Sequence, residues 1–307
     1  MTSAERREAR FQRRKAKREE ARLKRSRECG DFEEVFSFRH LYLSGKKCCK
    51  GVYWKNSTQR YIGNLIANTA KTRRELLTGT FRHRGFHQFD LVERGKKRHI
   101  RSVHISERVV QKCLCDYCIV PIYSASFIYD NSASLKNRGM DFALRRTVCH
   151  LQRHFRKYGL TGGVLLYDFH SYFDTAPHEP LFRECERRIH DPRLKALANS
   201  FIEDFGPYGL GLGSQVSQTY ALLLPSPLDH FFKETLRIKG YSRYMDDGQA
   251  IHPDIHFLET EGIGGLEKMC DRLGLTLNRK KPRVVPIADY SKWLKTSSFS
   301  PQQEPWS

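Results

Sequence analysis

No stretch of the 307 residues approaches the roughly 18 consecutive apolar residues that a membrane-spanning helix needs. No apolar segment follows the arginine-rich N-terminus, so the pattern of a signal peptide is missing as well. A cytoplasmic chain without a membrane partner is expected. Acidic residues are scarce: 34 Asp and Glu face 54 Lys and Arg, a formal balance of +20. With 39% hydrophobic and 12% aromatic residues the chain can still build a core, which excludes collagen-like, coiled-coil and fully disordered readings. Its positive field should find a polyanion. A disulfide framework is also lacking, because nine cysteines are an odd count. Cys113, Cys115 and Cys118 lack the second CxxC pair and the fourth ligand of a zinc site. They continue the apolar helical pattern of Val109, Val110, Leu114 and Ile119, so reduced structural cysteines are expected.

Residues 1–30 hold twelve Lys or Arg and five Glu, with apolar residues too sparse for a core-facing stripe. They read as a basic, helix-prone arm without a packing partner, either a solvated tail or a grip for RNA phosphates. Residues 31–160 are globular, with helices expected at 57–77, 107–118 and 141–157 and a basic hairpin over 93–101. Over 161–290 the pattern changes. Residues 163–169 form a short buried-strand pattern ending in a carboxylate, and a helix starts near Pro177 to Glu179. A helix is expected at 212–224, a hairpin folded about Asp246-Asp247-Gly248 at 242–251, a helix at 258–273 and a strand at 284–287. This order implies an α+β fold, a sheet with helices on one face.

Asp168 ends the first strand and Asp246 and Asp247 lie in the hairpin, so neighbouring strands would bring three carboxylates to one sheet edge. Such crowding is costly unless cations neutralise it, which is the electrostatic logic of a magnesium site. Hard oxygen ligands beside a polyanionic partner suit two-metal phosphoryl or nucleotidyl transfer. The competing account is a plain hairpin turn.

Tyr244-Met245-Asp246-Asp247 matches the YxDD motif of reverse transcriptases, and Asp168-Phe-His-Ser-Tyr-Phe173 resembles their first carboxylate motif. Between them, Leu212-Gly-Ser-Gln-Val-Ser-Gln218 falls where that family positions template and primer. Leu273 to Lys281 follows where it carries a lysine-bearing loop, and Lys96-Lys97-Arg98-His99-Ile100 precedes where its fingers hold a basic hairpin. Five motifs in order over residues 93–285 resemble a prokaryotic reverse transcriptase. The LGxxxSQ form of the middle motif and Phe127-Ile-Tyr-Asp-Asn-Ser-Ala133 resemble enzymes of diversity-generating retroelements. Group II intron, retron and phage-defence relatives share most of the other motifs.

The resemblance implies a right-hand polymerase with fingers and the start of a palm over 31–160 and an antiparallel palm sheet backed by helices over 161–290. It implies two Mg²⁺ ions held by Asp168, Asp246 and Asp247, with the backbone carbonyl of Phe169 as a further ligand. Template RNA, a DNA primer and deoxynucleoside triphosphates would be its partners, with an accessory variability protein in the retroelement case. Phe173 would be a steric gate against a 2′-hydroxyl, the alternative being an ordinary core aromatic. Lys97, Arg98 and Arg101 would clamp the triphosphate, unless the hairpin is only a solvated turn. Gly213 and Gln218 would lie beneath the nascent pair. Lys281, or its neighbour Lys280, would protonate pyrophosphate or instead contact template phosphates. Residues 291–307 are a short Ser-, Gln- and Pro-containing tail where a thumb is expected, so a truncated copy with weak activity is anticipated, the alternative being a thumb supplied by another chain. The alternatives in function are a silent nucleic-acid-binding remnant and a two-metal nuclease.

Overall fold

A computed structural model describes residues 2–93, 95–278 and 283–290 of the chain. Lys280, Lys281 and the tail from residue 291 lie outside the described residues. The fold is mixed α+β, with antiparallel sheets. Two compact units are interleaved along the chain, Met1–Ser126 with Pro177–Leu223 and Phe127–Ala176 with Leu224–Ser307. Linear boundaries near residues 30 and 160 do not describe this division, because the chain returns to the first unit at Pro177.

The first unit opens with the helix Ser3–Glu28. Thr2 starts it with a reciprocal cap: its hydroxyl accepts from Glu5 N at 3.2 Å, and the Glu5 carboxylate accepts from Thr2 N at 2.7 Å. Most of its length is exposed. Ser26, in its last turn, is buried, and its hydroxyl accepts from His190 N at 2.9 Å. The arm therefore has a packing partner at its C-terminal end, which corrects the expectation from composition.

The helix expected over 57–77 is two helices, Asn56–Gly63 and Leu65–Leu77, broken at Asn64 after the weak helix former Gly63. The apolar run that includes Cys113, Cys115 and Cys118 is buried along Ile105–Leu114 and a widened turn, Cys115–Ile119, that leads into Val120–Ser124. Pro121, with no N–H to donate, comes two residues after that turn. All nine cysteines are free. Strands β1 (Phe86–Glu93) and β2 (Lys96–Val103) pair antiparallel from Phe86 opposite Val103 to Glu93 opposite Lys96.

The second unit is built on four antiparallel strands, β3 (Gly163–Tyr167), β4 (Gly240–Tyr244), β5 (Asp247–His252) and β6 (Arg283–Pro286), in the order β4-β5-β3-β6. Every residue of β3 is buried. That continuous apolar run needs cover on both faces, and it has it. Val164, Leu166 and Ile251 pack with Leu151 of the helix Met140–Tyr158, which ends at Gly159 with φ +61°. On the opposite face Tyr167 stacks on Phe232, and Leu165 lies against Gly262. The expectation of helices on one face is thus corrected to helices on both. Residues 130–132 dock along β4, where Ser132 N donates to Arg243 O at 3.0 Å and Arg243 N to Asp130 O at 3.1 Å.

Candidate functional site

Register alone delivers the three acids to one rim. β3 pairs with β5 so that Tyr167 faces Gly248, and the next residue along, Asp168, falls beside Asp247. β4 and β5 close at Tyr244 opposite Asp247, leaving Met245 and Asp246 as a two-residue turn. Carboxylate oxygens of Asp168, Asp246 and Asp247 all lie within 4.8 Å of one another, and each side chain is half-buried. The turn is shifted from the one expected, because Gly248 is in the strand. A Cβ on Gly248 would sit 2.0 Å from the Tyr167 ring, so this glycine makes room for an aromatic neighbour. Met245 turns the chain instead, with φ +52°, a conformation that costs a non-glycine residue of order 1 kcal/mol or more.

A buried ion pair secures that strained turn. Arg243 and Asp229 have no exposed side-chain surface; Arg243 Nε donates to Asp229 Oδ1 and Nη2 to Oδ2, each at 2.7 Å. The third guanidinium nitrogen, Nη1, donates to the carbonyl of Met245 at 2.6 Å. Tyr241 OH donates to the same carboxylate at 2.7 Å and meets Tyr167 OH at 2.6 Å. On the other side of the site, Asn278 N donates to Asp168 O at 2.9 Å and its amide to Asp168 Oδ2 at 3.3 Å. Sequence reasoning missed Arg243, Asp229 and Asn278. Arg243 and Asn278 stood inside motifs already noted, but nothing in the pattern marked Asp229 as a partner.

Burial and then the charges of Asp247 and Asp168 push the Asp246 carboxyl up from 3.8 to about 7. Three like charges at this spacing are relieved by a divalent cation, and the donors are the hard oxygens that magnesium takes. The residues present therefore fit the ion. Phe169 has its ring buried against Tyr167 and Tyr172, so only its backbone is left to offer a ligand. Tyr172 is a core residue, whereas Phe173, one step on in the short helix Tyr172–Thr175, is only half-buried.

The remaining candidates lie in the first unit. β2 alternates its side chains, so Lys97 and Arg101 point to one face of the ribbon and Arg98 to the other. Lys97 is 2.9 Å from Asp90, and Arg101 donates to Phe205 O at 3.0 Å, while the Arg101 backbone N donates to Leu212 O at 3.1 Å. That contact explains Gly213: with φ +116°, a Cβ there would lie 2.9 Å from Arg101 O. Gln218 is exposed on the helix Gln215–Leu223, next to the buried Ser217. No helix among the described residues is long and apolar enough to cross a membrane. No protein-family model matches the chain, and no curated protein is significantly similar to it in sequence.

Proposed function

We propose that the chain is a reverse transcriptase that adds deoxynucleotides to a primer 3′-hydroxyl on an RNA template. The observation that carries this reading is the meeting of Asp168, Asp246 and Asp247 within 4.8 Å at one sheet rim, in motifs whose order matches that family. The four-stranded sheet would be the palm and the first unit the fingers.

Asp168, Asp246 and Asp247, with the carbonyl of Phe169, would hold Mg²⁺. When bound, magnesium lowers the charge cost of nucleotidyl transfer at both the attacking and leaving oxygens. The chain's own residues do the rest. Arg243 and Asn278 fix the acids so that they need not reorganise. Phe173 would take the place beneath the sugar and exclude a 2′-hydroxyl by volume. Lys97 and Arg98 would meet phosphates, while Arg101, tied to Phe205, would brace the base of the ribbon. Gly213 and Gln218 would face the nascent pair. The LGxxxSQ motif favours a diversity-generating retroelement, with an accessory variability protein as partner.

The deciding experiment is metal-dependent primer extension with the full chain and with Asp246→Ala. Incorporation should fall roughly 100-fold or more in the variant, the scale of the several kcal/mol a metal clamp contributes. Equal incorporation by both proteins would refute the reading. The exposed basic helix Ser3–Glu28 favours one second reading, a nucleic-acid-binding remnant. It would be supported by salt-sensitive RNA binding without incorporation in either protein.

A further inference from the structure

The first unit carries a second convergence of metal-ligating groups, unrelated to the carboxylate rim. His83 precedes β1, Glu107 lies in the first turn of Ile105–Leu114, and Asp204 caps the C-terminus of Pro192–Glu203. Ligand atoms of the three lie within 4.8 Å of one another. We infer that His83, Glu107 and Asp204 form a zinc site that staples the loop before β1 to these two helices.

Hydrogen bonding fixes which imidazole nitrogen is offered. Ser200 Oγ donates its proton to Leu197 O at 2.9 Å, so toward the His83 Nε2 at 3.1 Å it can only accept. Nε2 therefore carries hydrogen, and Nδ1 is the nitrogen turned to the acids. Nδ1 is 2.6 Å from Asp204 Oδ2 and 3.5 Å from Glu107 Oε1, yet it is buried and makes no aligned hydrogen bond to either. An N–H held at its non-metal nitrogen is what a zinc-bound histidine needs. The ring is clamped edge-on against Phe201, centroids 4.9 Å apart.

Charge and spacing agree. Glu107 is 2% exposed; its Oε2 accepts from Arg84 N at 3.2 Å, and its Oε1 accepts from Gln111 Nε2 at 3.5 Å and lies 3.5 Å from His83 Nδ1. Among the described residues the ion-pair partner of both carboxylates is His83. With a neutral ring the cluster carries two negative charges. One proton on Nδ1 leaves one of them, and a divalent ion leaves none. Asp204 sits at the negative end of its helix, which further favours a cation. Zinc bonds of about 2.0 Å in a tetrahedron put ligands roughly 3.3 Å apart, between the two measured separations. Imidazole with two carboxylates and an open fourth position suits zinc rather than magnesium.

The competitor is a proton. Although burial opposes it, the Glu107 and Asp204 carboxylates raise the His83 imidazole above its ordinary value. The test uses full-length chain carrying Asp246→Asn, to weaken the other carboxylate site. The protein is loaded with Zn²⁺ and desalted, and retained zinc and melting temperature are measured. One Zn²⁺ per chain and a raised melting temperature are expected. Both should be lost in added His83→Ala and in added Asp204→Asn, the latter altering an exposed side chain and so sparing the core. No retained zinc, or zinc retained unchanged in Asp204→Asn, overturns the inference.

Discussion

Arg243 offers the sharpest separation of stability from function. Replacing it with Met removes two bonds to Asp229 and one to Met245 O, and leaves a fully buried carboxylate with Tyr241 OH as its remaining close donor from this network. Three charge-assisted bonds at about 1.5–3 kcal/mol each set the upper scale. Burial of the methionine side chain offsets part, so a net loss of about 3–5 kcal/mol is expected, as for other broken buried pairs. With a urea slope near ~3 kcal/mol/M, the unfolding midpoint should fall by about 1 M or more. Adding Asp229→Leu removes the stranded charge and should bring stability back to within about 1–2 kcal/mol of wild type. Function should not follow. The double variant still lacks the donor that holds Met245 O, so the strained turn bearing Asp246 is loose and primer extension stays impaired. The reasoning fails if the single variant costs less than about 1 kcal/mol, if Asp229→Leu rescues nothing, or if it restores extension along with stability.

Gly248→Ala should cost about 1–3 kcal/mol by overpacking against Tyr167, whose ring is fixed by Phe232 and Tyr241, and a melting temperature equal to wild type would contradict that. The raised Asp246 carboxyl gives a signed pH effect. Its folded value of about 7 exceeds its ordinary 3.8, so the folded chain binds the extra proton and metal-free stability falls as pH rises from about 4 to about 7. Mg²⁺ should flatten that slope, and Asp246→Asn should remove this share of it; identical pH–stability curves with and without the ion would count against a metal site. Phe173→Ala should lower discrimination against ribonucleotides by about tenfold or more, measured as the ratio of kcat/KM for the two sugars. Unchanged selectivity would leave Phe173 as an ordinary packing residue.

What the sequence made legible was local. Apolar β-formers run straight into Asp168, and β-formers flank Asp246 and Asp247, so strand ends and acids are written side by side and their meeting follows from one pairing register. Helix 140–158 was equally plain, because its stripe stops at a glycine with positive φ. The errors come from residues whose meaning is tertiary. Gly248 follows two acids and looks like a turn residue, yet its missing side chain answers the ring of Tyr167, 81 positions earlier. Asp229 is one of 34 acidic residues, and nothing near it announces that it is the buried partner of Arg243. The basic ribbon shows the opposite case. Period-two alternation already separates Arg98 from Lys97 and Arg101, so the three do not share one face of the ribbon. The three carboxylates thus stand in short motifs, whereas Asp229, whose buried pairing with Arg243 helps to hold the turn that bears Asp246, stands in none.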